Sequence, residues 1–349
     1  MKTTLRLTLL LTVLLATGCS TRNPWHDPAQ PHRGEDGFHN TAEDIHPSLP
    51  GLLKRLFLRL FEAPVAHDAS RVPRVVPNLA ALQSPTVPHQ ATWLGHATVL
   101  LQMDGLNVIT DPQFSERASP VSWAGPKRQT PVPVPPAQLP RIDVVVVSHD
   151  HFDHFDLPSL RQLAAQPGGQ PLFLVPLGNA ALLREVGITR VVELDWWQTH
   201  AVGRAEITLV PVQHWSHRSL LEPRNQRLWG GYVIASGGRK AFFAGDTGYS
   251  PDFREIARRF HGIDFAMLPI GAYQPRDFVR PQHIDPDEAV TIHRELGSRL
   301  SMGIHWGTFI LTLEPIQQPP LDLARALAAQ DVDPASFPVW ALGETRPVP

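Results

Sequence analysis

The chain of 349 residues is 42% hydrophobic and 18% charged, a composition typical of a globular protein with a sizeable core. This length allows one large domain or two ordinary ones. The formal net charge of -2 provides no basic surface for a phosphate backbone, which argues against nucleic acid as a partner. Because the chain has a single cysteine, it can form no internal disulfide.

The N-terminal residues predict an export signal. A positively charged start precedes an apolar stretch, 7–16, that is too short to span a bilayer. Small residues lead into Cys19, and this pattern resembles the lipobox of bacterial lipoproteins. The resemblance implies removal of residues 1–18 as a signal peptide and lipid attachment to the Cys19 thiol. Since Ser20 follows, we expect a lipid-anchored envelope protein in the outer membrane, facing the periplasm. The alternative is an ordinary secretory signal with an incidental cysteine.

Residues 19–90 are predicted to form a tether and N-terminal extension. The part 20–48 is rich in Pro, His, Asp and Gly without an apolar period, which indicates a tether or an irregular wrap. Residues 52–61 predict an amphipathic helix, because four leucines and Phe57 share one face and basic residues lie opposite. This helix would either lie on an anionic membrane surface or pack its apolar face on the following domain.

From residue 91 onwards, predicted strands come first and then alternate with helices. Runs typical of strands occur at 91–94, 97–103, 106–110, 143–147, 172–175, 191–194, 206–212, 231–235, 240–244, 265–269 and 301–305. Helical patterns occur near 157–165, 179–186, 251–260, 286–297 and 320–329. Many short strands followed by mixed units predict a layered α/β sandwich. We therefore assign 91–349 to one domain.

The strongest chemical signal is the segment Ser148-His149-Asp150-His151-Phe152-Asp153-His154. It directly follows the run 144–147, which is predicted to be a strand buried on both faces. The segment therefore begins at the carboxyl end of a strand, where α/β folds place their sites. Imidazole nitrogens and carboxylate oxygens suit Zn²⁺, and His149 and His151 can converge on one ion while Asp153 and His154 supply a second.

This segment resembles the His-x-His-x-Asp-His signature of the metallo-β-lactamase superfamily. The resemblance implies an αββα four-layer sandwich that binds two metals at its edge. It also implies three later ligands, each of which follows a predicted strand in this chain: His214, Asp246 and His305. The predicted cofactors are therefore two Zn²⁺ ions per chain.

A finer resemblance extends over much of the mature chain. The segments 93–99, 110–112, 125–128, 193–197, 242–249, 269–273, 282–289 and 305–308 resemble the N-acylphosphatidylethanolamine-hydrolysing phospholipase D branch. That branch cleaves the phosphodiester of N-acylated phosphatidylethanolamine to N-acylethanolamine and phosphatidic acid. The resemblance also implies a membrane-associated homodimer as one oligomeric state. Trp123 stands where that branch has a tyrosine, so handling of the acyl group is expected to differ.

The resemblance implies hydrolysis by a metal-bound hydroxide that attacks phosphorus and expels the alcohol, because two cations lower the pKa of a shared water from about 15.7 to about 7. We expect Asp153 to orient or deprotonate this nucleophile as well as to bind metal. His283 resembles the branch's non-ligand catalytic histidine, which would hold the phosphoryl oxygens or protonate the leaving group. A solvated histidine ahead of a helix is the alternative for His283.

Other residues are expected to surround this centre. Asp111 and His96 are predicted to orient donors, although Asp111 can equally cap a turn. Trp215 and Trp306, each directly after a ligand, are predicted wall residues. The predicted substrate contacts are Trp123, Lys127, Arg128 and Gln282. Lys127 and Arg128 can equally be a solvated surface pair.

Two further functions remain open at this point. A lactonase or other carbonyl hydrolase would use the same metals, but the phospholipase-like segments outside the metal motif argue against it. A lipid-tethered envelope scaffold with a vestigial metal site would lack one or more ligands. No ligand implied by the resemblance is missing from the sequence.

Overall fold

The computed structural model describes residues 23–45, 66–219 and 222–349. The predicted signal peptide, Cys19 and the amphipathic segment 52–61 lie outside these residues. Among the helices that are described, none has both the length and the apolar character needed to cross a bilayer.

The described residues contain two β-sheets. Their strands are β1 (His89–Gly95), β2 (Thr98–Met103), β3 (Leu106–Thr110), β4 (Val144–Val146), β5 (Leu172–Pro176), β6 (Val191–Leu194), β7 (Thr199–Val202), β8 (Ala205–Val210), β9 (Gly231–Ser236), β10 (Arg239–Phe243), β11 (Phe265–Pro269), β12 (Leu300–Ile304) and β13 (Thr345–Pro347). The first sheet has the order β13-β1-β2-β3-β4-β5-β6 and the second the order β12-β11-β10-β9-β8-β7. Pairing is parallel from β3 to β6 and from β10 to β12.

The helices lie on the outer faces of the two sheets. They are α1 (Leu79–Gln83), α2 (Leu157–Ala164), α3 (Ala180–Arg184), α4 (Asp252–Phe260), α5 (Arg276–Val279), α6 (Pro286–Glu295) and α7 (Pro319–Ala329). The start of α6 shows why the sequence forms a helix there. The Asp285 carboxylate accepts a hydrogen bond from the Glu288 main-chain N–H at 2.9 Å, and Pro286 occupies the first turn.

Strand β4 shows how the layers are built. Val144 and Val146 join the core cluster between the two sheets, whereas Val145 and Val147 join the cluster beneath α2 and α3. Successive side chains of a strand point to opposite faces, so a run of β-branched residues is buried on both sides. The predicted αββα sandwich is thereby confirmed.

Four short elements were not predicted from the sequence, namely β7, β13, α1 and α5. Strand β7 is an edge strand whose side chains are exposed or half-buried, so it carries no apolar alternation. Strand β13 has three residues, and α5 has four. Elements this short do not complete a recognisable period.

Residues 23–45 lie against the sandwich without regular secondary structure. Phe38 is fully buried and belongs to the larger of the two hydrophobic core clusters. The imidazole of His32 contacts the Asp195 carboxylate at 2.6 Å, and the Thr41 hydroxyl donates to the Asp252 carboxylate at 2.7 Å. This segment therefore takes the form of an irregular wrap.

Candidate metal centre

The loops that carry the predicted donors leave the strands at one edge of the sandwich. The segment 148–154 follows β4, and His214 lies beyond the end of β8. Asp246 follows β10, and His305 directly follows β12. Because parallel strands run in the same direction, their carboxyl ends meet at the same edge. The structure brings all seven predicted metal ligands together there.

His149, His151 and His214 form a cluster that we call the three-imidazole group. The Nδ1 atom of His151 lies 2.9 Å from Nε2 of His149 and 3.3 Å from Nε2 of His214. Burial lowers the pKa of each imidazole, and that of His149 and His214 falls well below the usual value. The group is therefore a set of neutral nitrogen donors. Tetrahedral zinc–nitrogen bonds of about 2.0–2.1 Å imply nitrogen separations of about 3.3 Å, close to those seen.

Asp153, His154, Asp246 and His305 form a second cluster, the carboxylate-containing group. Oδ2 of Asp246 lies 3.1 Å from Nε2 of His154, and its Oδ1 lies 3.1 Å from Nε2 of His305. Oδ2 of Asp153 lies 3.4 Å from the same two nitrogens. Asp246 Oδ2 also lies 4.0 Å from Nε2 of His149, so this carboxylate stands between the two groups.

The electrostatics of the carboxylate-containing group are opposite to those of the three-imidazole group. Burial lowers the pKa of His305, but the negative charge of Asp246 and the hydrogen bonds to Asp153 and Asp246 together outweigh burial and raise the pKa to about 9. The pKa of His154 is also raised well above its usual value, since Asp246 and Asp153 together outweigh its burial. These carboxylates favour positive charge beside them, and a metal cation supplies such charge.

The hydrogen-bonding state of the donors tests whether metal ions fit. Nε2 of His154, Nε2 of His305 and Oδ1 of Asp246 are buried without a hydrogen-bond partner. An unsatisfied buried polar atom costs about 1–3 kcal/mol, so several at one point require compensation. Coordination by a cation gives all of them a partner at once. The donors present therefore fit metal ions, and their nitrogen and oxygen chemistry suits zinc.

Neighbouring side chains orient the donors. The Asp111 carboxylate lies 2.6 Å from Nδ1 of His154 and accepts a hydrogen bond from the Ser148 main-chain N–H at 2.7 Å. The Ser148 hydroxyl also lies 2.9 Å from Nδ1 of His149. Buried His96 lies 3.1 Å from Oδ2 of Asp153. Partners of this kind fix the ring orientation of a metal-binding histidine and raise its basicity.

His283 lies beside the donors, and its side chain is only 15% exposed to solvent. Its Nδ1 atom is buried without a hydrogen bond, and it lies 3.8 Å from Oδ2 of Asp246. Its ring centroid is 5.5 Å from that of His214 and 5.7 Å from that of His305. Burial is the largest influence on the His283 pKa and lowers it to about 4, although Asp246 opposes the effect. The structure thus places a neutral imidazole against the metal centre.

The four residues predicted to contact substrate have different environments in the structure. Trp123 is 79% exposed, and Lys127 pairs with the Glu116 carboxylate at 2.9 Å. Arg128 donates to the Ser115 carbonyl at 3.1 Å and stacks over a phenylalanine ring 5.0 Å away, so it is not the partner of Lys127 in a solvated pair. Gln282 contributes its main-chain carbonyl, which lies 3.0 Å from Nδ1 of the metal donor His214.

The two predicted wall tryptophans differ in position. The ring of Trp215 packs against that of His151, with a centroid separation of 4.4 Å. Trp306 is 3% exposed and stacks on Trp93 at 5.1 Å, so it belongs to the core. Sequence reasoning missed Asn40, whose side chain contacts the main chain of His214.

The chain is similar to known metal-dependent hydrolases. The family model described as "Beta-lactamase superfamily domain" matches residues 106–306. An N-acyl-phosphatidylethanolamine-hydrolyzing phospholipase D of Caenorhabditis elegans is 38% identical over 266 residues, which cover 73% of this chain and 74% of that protein. The mitochondrial enzyme of the same name from Saccharomyces cerevisiae is 38% identical over 239 residues, 66% of this chain and 50% of that protein.

A solved structure shows the same fold at lower sequence similarity. A metallo hydrolase from the hyperthermophilic archaeon Ignicoccus hospitalis superposes with a TM-score of 0.56 at 20% identity, covering 74% of this chain and 97% of that one. The family model spans more than half of the chain and includes all seven predicted donors, the last of which, His305, lies near its end. The chain therefore belongs to the metallo-β-lactamase superfamily and is a metal-dependent hydrolase.

Proposed function

We propose that the protein is a dinuclear zinc phosphodiesterase that hydrolyses N-acylphosphatidylethanolamine-like phospholipids to N-acylethanolamine and phosphatidic acid. The observation that carries this proposal is the 38% identity over 266 residues to an enzyme named for that reaction. The convergence of the three-imidazole and carboxylate-containing groups supports it, because the reaction needs positive charge opposite a phosphodiester.

The residues that would hold zinc are the seven donors of the two groups, with Asp246 shared between them. Bound zinc supplies activation of water at neutral pH and neutralisation of charge on the phosphodiester oxygens. The chain itself supplies a buried, shaped edge in which these interactions are only weakly screened, since most of the donors are almost inaccessible to solvent.

Asp153 and His283 have roles beyond charge neutralisation in this proposal. Asp153 is held by His96, and its carboxylate can accept a proton from the attacking water. His283 faces the centre with a ring nitrogen that has no protein partner, so it can hold a phosphoryl oxygen or pass a proton to the leaving oxygen. Water adds to phosphorus, the bond to the ethanolamine oxygen breaks, and that oxygen leaves as the N-acylethanolamine hydroxyl.

We also propose that lipid on Cys19 anchors the protein in the outer membrane, facing the periplasm, and that a homodimer forms. Lipidation would keep the hydrolase beside its phospholipid substrate. Labelling of cells with a radioactive fatty acid tests the anchor: the wild-type protein should take up label, and a Cys19→Ala variant should not. Unlabelled wild-type protein would contradict lipid attachment. Analytical ultracentrifugation of the detergent-solubilised protein tests the dimer.

The experiment for the activity combines metal analysis with product identification. Zinc-loaded protein is incubated with N-acylphosphatidylethanolamine in detergent micelles, beside a His151→Ala control, and products are followed by mass spectrometry. We expect N-acylethanolamine and phosphatidic acid from the wild-type protein alone. Two bound zinc ions without these products would contradict the lipid assignment, and lactones and other carbonyl substrates would then be assayed.

A further inference from the structure

The side chain of Asn40 pairs with the main chain of a metal donor. Its amide Nδ2 donates to the His214 carbonyl at 2.9 Å, and its Oδ1 accepts from the His214 N–H at 3.1 Å. A primary amide carries the same donor and acceptor as a peptide group, so it can bind both polar groups of one residue. Asn40 thus holds His214 much as a neighbouring strand would.

His214 needs such a partner because of its place in the chain. Strand β8 ends at Val210, so the sheet's ladder of hydrogen bonds does not extend to the donor. His214 is fully buried, and a buried main-chain N–H or carbonyl requires a partner. Asn40 supplies both of them, while the Gln282 carbonyl contacts only the imidazole.

Asn40 is itself held firmly in position. Its main-chain N–H donates to the Asp44 carboxylate at 2.9 Å. On one side, the N–H of buried Phe38 donates to the Asn225 carbonyl at 2.8 Å. On the other side, Thr41 donates to the Asp252 carboxylate at 2.7 Å. These contacts fix the main chain on both sides of Asn40 and so set the orientation of its amide against His214.

We infer that Asn40 is a positioning residue that fixes His214 for metal binding, so that the segment 23–45 completes the three-imidazole group. His149 and His151 come from one loop of the first sheet, whereas His214 comes from the second sheet. Because all three members of this group are imidazoles, its affinity for a metal depends on how well three separate rings converge. The inference rests on the zinc site of the proposed function and not on the lipid substrate.

The test measures zinc affinity of the full chain by competition with a chromogenic chelator. Asn40→Ala should weaken one of two bound ions by about 10–100-fold, the effect of removing a partner that orients a ligand, and leave the other unchanged. Asn40→Asp keeps the oxygen that accepts from the His214 N–H but loses the donor to its carbonyl, so its affinity should fall between those of the wild type and Asn40→Ala. This second variant carries the test if Asn40→Ala does not fold.

Thr41→Val is the matched control, because it loosens the same segment without touching His214. It should lower the melting temperature of the metal-free protein and retain both zinc affinities. Wild-type zinc affinity in both Asn40 variants, or an equal loss in Thr41→Val, would overturn the positioning role. A wild-type protein that binds fewer than two ions would instead contradict the zinc site of the proposed function, so the two failures are distinguishable.

Discussion

The two halves of the metal centre are held in place by different kinds of partner. The three-imidazole group is oriented by neutral groups: the Ser148 hydroxyl, the Gln282 carbonyl and the Asn40 amide. The carboxylate-containing group is oriented by the Asp111 carboxylate on His154 and the His96 imidazole on Asp153, and its own Asp246 carboxylate lies between its two histidines. The same fold edge thus joins a neutral site to an anionic one.

This difference predicts that metal binding at the two groups depends to different extents on donor geometry and on nearby charge. Burial lowers the pKa of the three-imidazole group, whereas carboxylates raise that of both histidines in the other group. An anionic site attracts a divalent cation over several ångströms, but a neutral one relies on short coordinate bonds. We therefore expect the carboxylate-containing group to tolerate small displacements and the three-imidazole group to tolerate loss of charge nearby.

The largest effect is expected from Asp246→Asn, since this carboxylate serves both groups. The change keeps the side-chain shape and removes the charge. Hydrolysis should fall by more than the factor of about 10–100 that loss of an outer partner causes, and zinc per chain should fall below two. Steady-state assays and atomic absorption measure the two quantities. Unchanged zinc content would show that the groups do not share Asp246.

His283→Gln should reduce turnover without removing metal. A positioned acid or base contributes about 10²–10⁴-fold to a rate, so kcat should fall within that range. Zinc content should remain that of the wild type, because His283 is assigned to neither group. Loss of zinc in this variant would show that His283 is itself a metal ligand, which the assignment of donors to two groups excludes.

Asp111→Asn and Ser148→Ala compare a charged orienting partner with a neutral one. Asp111→Asn should weaken one zinc ion by about 10–100-fold. The Ser148 hydroxyl contacts His149 and also donates to the Asp111 carboxylate, so Ser148→Ala should weaken both ions. Hydrogen bonds to ionised groups are about twice as strong as neutral ones, so each of these losses should be smaller than the loss in Asp111→Asn. Chelator competition on both variants gives the ratio. Equal losses would remove the distinction between the two halves.

The smallest effect is expected at Lys127, outside both groups. Its pair with Glu116 is exposed, and pairs between exposed side chains contribute little to stability. Lys127→Ala should therefore leave the unfolding midpoint in urea almost unchanged. A rise in KM for micellar substrate, with kcat and zinc content retained, would support Lys127 as the substrate contact that the sequence predicts. No change in KM would argue against it.

The residue patterns predicted a layered α/β sandwich and the position of the donors in 148–154 for a physical reason. A run of valines buried on both faces marks β4, and the donors that follow it must lie at the edge where parallel strands end. Convergence of His214, Asp246 and His305 required the family resemblance, because spacing along the chain does not show which loops meet.

Asn40 could not be predicted in the same way. It is separated from His214 by 174 residues and lies in an irregular segment with no apolar period. The sequence also did not show that Arg128 turns inward to Ser115, or that Gln282 acts through its carbonyl. Contacts of main-chain groups are independent of side-chain identity, so no residue pattern records them.

On the proposed function, two zinc ions would occupy two chemically different groups of donors. Anomalous diffraction at the zinc edge, on crystals of the zinc-loaded protein, tests it most directly. We predict two peaks, one among the nitrogens of His149, His151 and His214 and one between His154 and His305, with Asp246 contacting both. A single peak, or a second ion bound through His283 in place of His305, would show that the two groups do not each hold one zinc ion as assigned.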